Sequence, residues 1–195
     1  MKRAMLSIVP LAAVALATPV IAGNHGAGHH EAGHDHHGAS APQSLRADVI
    51  DRAGAVIGTV VLTETPNGVL VDADIGGLPE GELGFHFHEK GLCEGSGGFA
   101  SAGGHFAPRG HDHGFKVASG AHAGDMPNQF VGKDGRLRAH VLNPAVTLHH
   151  GETALMDADG SSLMVHENAD DYESQPAGNA GNRFACAVIA PPRAQ

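Results

Sequence analysis

The chain has 195 residues, with 12 Lys and Arg against 21 Asp and Glu and a formal charge of −9. That balance excludes a strongly basic groove for nucleic acid. With 28 glycines, 11 prolines, one tyrosine and no tryptophan, the composition favours short strands joined by many turns over packed helices.

Residues 1–22 read as a secretory leader. Lys2 and Arg3 form a positive start, Leu6 to Val20 is apolar apart from Ser7 and Thr18, and Val20-Ile21-Ala22 is a small-residue cleavage site. Pro10 and Pro19 interrupt a segment already near the lower length limit for a spanning helix, and no other long apolar run follows. Cleavage after Ala22 is expected, leaving an exported protein, periplasmic or secreted, with no membrane span. Loss of the leader removes Lys2 and Arg3 and no acid, so the formal charge moves from −9 to −11.

Residues 23–43 are rich in Gly, Ala and His and hold His25, His29, His30, His34, His36 and His37, with Glu31 and Asp35 among them. A segment so poor in large apolar groups cannot offset its ordering entropy and is expected to be a disordered tail. Imidazoles clustered at these intervals suit copper or zinc, so the tail is a candidate accessory metal-binding segment. The plainer alternative is a solvated linker without a metal role.

Residues 44–195 then read as a single domain of successive strands. Leu45, Ala47 and Val49 alternate with Arg46, Asp48 and Ile50, Ala53-Gly54 turns into Val56 to Leu62, and Pro66-Asn67-Gly68 turns into Val69 to Ile75. After the turn Gly76 to Gly81, a fourth strand carries Gly84-Phe85-His86-Phe87-His88-Glu89. Period-2 alternation puts His86 and His88 on one face of it and Phe85 and Phe87 on the other. Leu137 to Leu142, Ala154 to Asp157, Ser162 to Glu167 and Phe184 to Ala190 are further candidate strands. About eight short strands without amphipathic helices imply an all-β antiparallel sandwich or barrel.

Residues 89–130 form a long glycine-rich excursion, and loops beyond about 15 residues are uncommon unless functional or disordered. This one carries His105, His111, His113, His122 and Asp125. Three histidines and one aspartate can close a tetrahedral zinc site. His86, His88 and His166 would give a second, nitrogen-rich environment suited to copper. In an oxidising compartment the only cysteines, Cys93 and Cys186, are expected to form one structural disulfide.

Gly-Phe-His-Phe-His-Glu-Lys-Gly-Leu-Cys from Gly84, Ala-Gly-Gly-His-Phe-Ala-Pro around His105 and His-Ala-Gly-Asp-Met-Pro-Asn from His122 carry a resemblance. So do Met-Val-His-Glu-Asn-Ala-Asp-Asp-Tyr around His166 and Gly-Asn-Ala-Gly-Asn-Arg-Phe-Ala-Cys ending at Cys186. Together, in order across most of residues 44–190, they resemble the copper/zinc superoxide dismutase family, in particular its exported bacterial branch.

That resemblance implies a Greek-key β-barrel with long metal-binding loops, and conversion of superoxide to dioxygen and hydrogen peroxide by a redox-cycling copper bridged to a structural zinc. By the same resemblance His86, His88, His105 and His166 carry copper (Cu), and His105, His113, His122 and Asp125 carry zinc (Zn). His105 is shared between the metals and handles the proton of the reaction. His113 is chosen over His111 by the family's eight-residue step from His105. Asp170 corresponds to a carboxylate linking His86 to His113, and Arg183 to an arginine beside the copper channel that orients the anionic substrate. The Cys93–Cys186 disulfide would tether the long loop to the barrel. Subunit number stays open between monomer and homodimer.

The chain departs from the family pattern at Ala187, which stands where glycine usually follows the second cysteine; its methyl is expected to crowd the disulfide. His140, His149 and His150 are assigned to no metal, Met126 and Met164 are read as core filling, and Phe99 and Phe106 as packing anchors for the loop. Two other functions remain at this point: a non-catalytic copper-binding or delivery protein, and a secreted β-sandwich stabilised by zinc and a disulfide.

Overall fold

Eight strands make up the fold, which the computed structural model describes within residues 43–193; the strand Ser44–Asp51 largely alternates apolar and polar residues, whereas Ser161–His166 is buried along its whole length. The leader and the histidine-rich segment, apart from Gln43, lie outside the described residues. The strands are β1 (Ser44–Asp51), β2 (Val56–Thr65), β3 (Gly68–Ile75), β4 (Gly81–His88), β5 (Asp125–Val131), β6 (Leu137–Asn143), β7 (Ser161–His166) and β8 (Arg183–Ala190). No helix among the described residues is long and apolar enough to cross a membrane.

All the strand pairs are antiparallel, in the order β5-β4-β7-β8-β1-β2-β3-β6. The terminal strands β5 and β6 lie against each other, so the sheet curls into a nearly closed barrel. Neighbours β4 and β7, and β3 and β6, are distant in sequence, which is the Greek-key feature. Inside the barrel, Val60, Leu62, Val71, Ile75, Phe85 and Phe87 are fully buried. Each contributes roughly 1.5–3 kcal/mol of hydrophobic stabilisation.

Two segments differ from the expectation. Ala154 to Asp157 does not form a strand. It folds back on its own loop, with Leu155 N–H donating to Thr147 C=O at 2.9 Å and Met156 N–H to Leu148 C=O at 3.0 Å. Leu148 and Leu155 plug the core from that loop. Conversely, the end of the long excursion is strand β5 even though it contains Pro127. A strand at the end of the sheet order needs no second ladder partner, so a proline is tolerated there.

Ala187 does not crowd the disulfide. On β8 its methyl joins Ala185 and Ile189 in the barrel core, while Cys186 faces the opposite side and packs with Phe99, Ala102 and Met164. Cys93 and Cys186 are bonded with Cα atoms 5.8 Å apart, within the ordinary range.

Candidate metal centre

From Leu83 to His88 every residue of β4 is buried. The phenylalanines fill the barrel, and the histidines are covered on the outer face by two loops. The first, after β4, is stitched to the strand's end: Glu89 N–H donates to Gly104 C=O at 3.0 Å, Phe106 N–H to Phe87 C=O at 2.8 Å, and Phe87 N–H to Gly124 C=O at 2.9 Å. These bonds set His105 beside His88 as an isolated antiparallel bridge. Phe106 enters the barrel core and Phe99 the cluster around the disulfide, so both phenylalanines anchor the loop. Strand β7, paired with β4 at His86↔Met164, brings His166 to the same face.

Among the described residues, two groups of side chains result. In one, ligand atoms of His86, His88, His105 and His166 all lie within 4.8 Å of one another; the other, within the same limit, joins His105, His113, His122 and Asp125. His105 belongs to both. His111 stays outside, exposed, with Nδ1–H donating to Ala121 C=O at 3.2 Å. His140, His149 and His150 are also exposed and belong to neither group.

Hydrogen bonds on the far side of each ring select the tautomer. His88 Nδ1–H donates to Gly103 C=O at 3.1 Å, His166 Nδ1–H to Gly181 C=O at 3.4 Å, and His86 Nε2–H to Asp170 Oδ2 at 2.8 Å. The opposite nitrogens, His88 Nε2, His166 Nε2 and His86 Nδ1, are buried and have no hydrogen-bond partner among the described residues, as is true of His105 Nε2. A buried lone pair without a donor costs about 1–3 kcal/mol, and four aimed at one point suit a borderline-soft cation.

In the second group, Asp125 Oδ1 meets His105 Nδ1 at 3.0 Å, His113 Nδ1 at 3.1 Å and His122 Nδ1 at 3.5 Å. Bonds of roughly 2.0–2.1 Å in a tetrahedron place ligand atoms about 3.3–3.4 Å apart, so the spacing fits a zinc-sized ion. His113 Nε2–H is committed to Asp170 Oδ1 at 3.0 Å. Its Nδ1 lone pair can then face the Asp125 oxygen only with a proton or a metal cation between them.

Titration of the metal-free side chains follows the same logic. Burial pushes His88 well below its ordinary value, His105 down to about 4 and His166 down to about 2, leaving neutral rings free to ligate. Burial also disfavours the charge on His113, but hydrogen bonds to Asp125 and Asp170 outweigh it and raise the group to about 9. Burial likewise opposes ionisation of both carboxylates. The histidine contacts prevail and hold Asp125 and Asp170 below the usual carboxylate range.

The second covering loop, between β7 and β8, supplies Asp170. It is held from both sides, by Asn128 Nδ2–H donating to its C=O at 2.9 Å and by Asn128 Oδ1 accepting its N–H at 2.8 Å. The Tyr172 hydroxyl in turn accepts Asn128 N–H at 2.7 Å, tying the loop to β5. Gly178 crosses directly over Asp170 in the left-handed region, φ +63°. Asn128, Tyr172, Gln175 and Gly178 are not legible as site residues from their local pattern. The small-residue run Ala177-Gly178-Asn179-Ala180-Gly181 is the one sequence sign that a backbone passes close to something here.

The first group opens to solvent through a cleft of about 360 Å³ lined by His88, His105, His166, Pro176, Ala177 and Arg183, among others. Arg183 donates to Phe99 C=O at 2.6 Å and to Gly103 C=O, which fixes its guanidinium at the wall. Burial lowers its pKa from the ordinary value of 12.5, while Glu89 opposes the shift. The group stays cationic at physiological pH and retains N–H groups for an anion.

An eight-stranded antiparallel barrel with two histidine-rich clusters on its outer face defines a β-barrel metalloprotein. A family model for copper/zinc superoxide dismutase matches residues 56–189. A copper/zinc superoxide dismutase of Aquifex aeolicus is 48% identical over 155 residues, covering 77% of this chain and 90% of its own. That of Caulobacter vibrioides is 45% identical over 139 residues, covering 70% and 79%. A solved SOD-like protein from Bacillus subtilis superposes with a TM-score of 0.72 at 36% identity, covering 76% of this chain and 99% of that one. The chain belongs to the copper/zinc superoxide dismutase family: it is a superoxide dismutase, with copper and zinc as cofactors and superoxide as substrate.

Proposed function

We propose that His86, His88, His105 and His166 hold the copper, that His105, His113, His122 and Asp125 hold the zinc, and that His105 bridges them through its two ring nitrogens. The observation that carries this reading is the shared His105. Its Nδ1 faces Asp125 while its Nε2 is buried and unpartnered among the other three imidazoles.

When bound, copper supplies the one-electron couple that oxidises one superoxide to dioxygen and reduces a second toward hydrogen peroxide, while zinc supplies a fixed positive charge at the bridge. Arg183 attracts the anion into the cleft and orients it, against a net charge that is unfavourable overall. His105 Nε2 is where a proton is held between the half-reactions and passed to the departing peroxide, the second proton coming from water. Asp170 fixes the rings of His86 and His113 through their Nε2–H groups.

The leader at residues 1–22 would deliver the chain to the periplasm or the exterior, and the histidines between His25 and His37 would capture copper or zinc there for a separately folded domain from residue 44. One experiment tests these assignments: metal content and superoxide turnover of the purified chain beginning at Gly23, with and without residues 23–43, under copper and zinc limitation. One copper and one zinc per chain with turnover is expected, with poorer metallation after the deletion. Full metallation without turnover would favour a copper-binding protein, and unchanged metallation after the deletion would refute capture by the tail.

A further inference from the structure

One side chain that ligates nothing joins the two loops covering β4. Gln175 lies between β7 and β8, and its amide faces the backbone of His113 in the loop between β4 and β5. Gln175 Oε1 accepts His113 N–H at 2.9 Å, and Gln175 Nε2 donates to His113 C=O at 2.8 Å and to Glu173 C=O at 3.0 Å. The amide thus pairs with both polar backbone groups of one residue, as an adjoining antiparallel strand would. Two-point pairing fixes orientation as well as distance, because rotation of the amide breaks at least one bond.

The ring of His113 is gripped at its other end by Asp170 and Asp125. The next residues after Gln175 are Pro176 and Ala177, which wall the cleft beside His88, His105 and Arg183. A single histidine therefore touches, through one intermediary, the segment that shapes access to the other cluster.

We propose that Gln175 is a positioning residue that couples the zinc cluster to the substrate cleft. It holds the backbone of His113 so that the ring stays in its ligating orientation. In return, His113 fixed by zinc holds the Pro176–Ala177 wall, since coupling between two sites acts equally in both directions. The inference rests on the zinc assignment made above.

The test measures zinc release from the copper- and zinc-loaded protein into excess chelator. Removing partners that orient a metal ligand weakens metal binding roughly 10–100-fold, so Gln175→Ala is expected to release zinc faster by a factor of that order. Gln175→Glu keeps the acceptor for His113 N–H but sets an oxygen against His113 C=O; it should fall between wild type and alanine, and it serves if the alanine variant fails to fold. Leu62→Ala, on β2 in the barrel core, controls for general destabilisation and should leave release unchanged.

A second readout is amide exchange at Gly178, whose N–H donates to Ser174 C=O at 2.7 Å. Zinc should slow this exchange in the wild type and slow it less in Gln175→Ala. Release within twofold of wild type, equal acceleration by Leu62→Ala, or an undiminished zinc effect at Gly178 would each overturn the proposal. A wild-type protein without tightly held zinc would remove the zinc assignment and this inference with it. One zinc per wild-type chain with unaltered release from Gln175→Ala would remove the inference alone.

Discussion

Replacing Gly178 with alanine tests how tightly Asp170 is confined between the two histidine clusters. At φ +63° the residue occupies the left-handed region, where a Cβ costs roughly 1–2 kcal/mol. The added methyl would overlap Asp170 Oδ1 and sit 2.6 Å from His113 Nε2. Asp170 cannot yield freely, because its oxygens accept from His86, His113 and Tyr172 N–H. Losing one hydrogen bond to a charged group adds roughly 1.5–3 kcal/mol, for a total of about 2.5–5 kcal/mol. In a domain of this size that lowers Tm by roughly 5–20 °C.

Gly110 supplies the control, with φ +64° and nothing among the described residues within 4 Å of an added Cβ. Gly110→Ala should show the backbone strain alone, a fall of roughly 2–8 °C. Calorimetry of both variants after metal removal isolates the overlap with Asp170, and zinc content after reloading should be reduced only for Gly178→Ala. Equal falls in Tm would refute the argument that this backbone crossing confines the carboxylate.

Arg183→Ala should retain both metals but lose roughly tenfold or more in superoxide rate, with a flatter dependence on ionic strength; an unchanged rate in stopped-flow or pulse measurements would count against its role. Replacing Cys93 and Cys186 together by serine opens a cross-link spanning 93 residues and should lower stability by roughly 4–5 kcal/mol on the chain-entropy account, read from urea midpoints. A loss under about 1 kcal/mol would show that the loop is held chiefly by Phe99 and its backbone bonds.

The metal-free protein should be most stable near neutral pH. Below the ordinary histidine value of 6.5 the unfolded chain takes up protons that His105 and His166 refuse until about 4 and about 2, so stability falls with acidification. Asp125 and Asp170 add to this, since their contribution is present above the ordinary value of 3.8 and is lost as pH falls further. His113 acts in the opposite sense: its contribution is full below 6.5 and disappears as pH rises through about 9. Urea midpoints that rise from pH 7 to 5 would contradict this account.

The alternation around His86 and His88 was legible because it depends only on the strand's own period of two. Turns such as Pro66-Asn67-Gly68, where β2 gives way to β3, were legible for the same local reason. Strand β5 was not, since a glycine-rich lead-in and Pro127 read as loop until its place at the sheet's end is known. Ala154 to Asp157 reads as a strand from its apolar run, yet Ala154 and Leu155 are buried by a loop plugging the barrel. Ala187 shows the same limit in miniature: whether a methyl crowds a disulfide depends on which face of β8 each residue takes.

For this protein, then, the sequence by itself determined the residue types able to hold metals, the shared face of His86 and His88, and the spacing from His105 to His113, all properties of neighbours along the chain. Tertiary structure decided that His166, on a strand far along the chain, comes to that face, because β7 pairs with β4 rather than with β6. It also decided that Gln175 and Gly178 bear on His113. Such contacts arise only where two loops cross, and no local period or composition records which loops will meet.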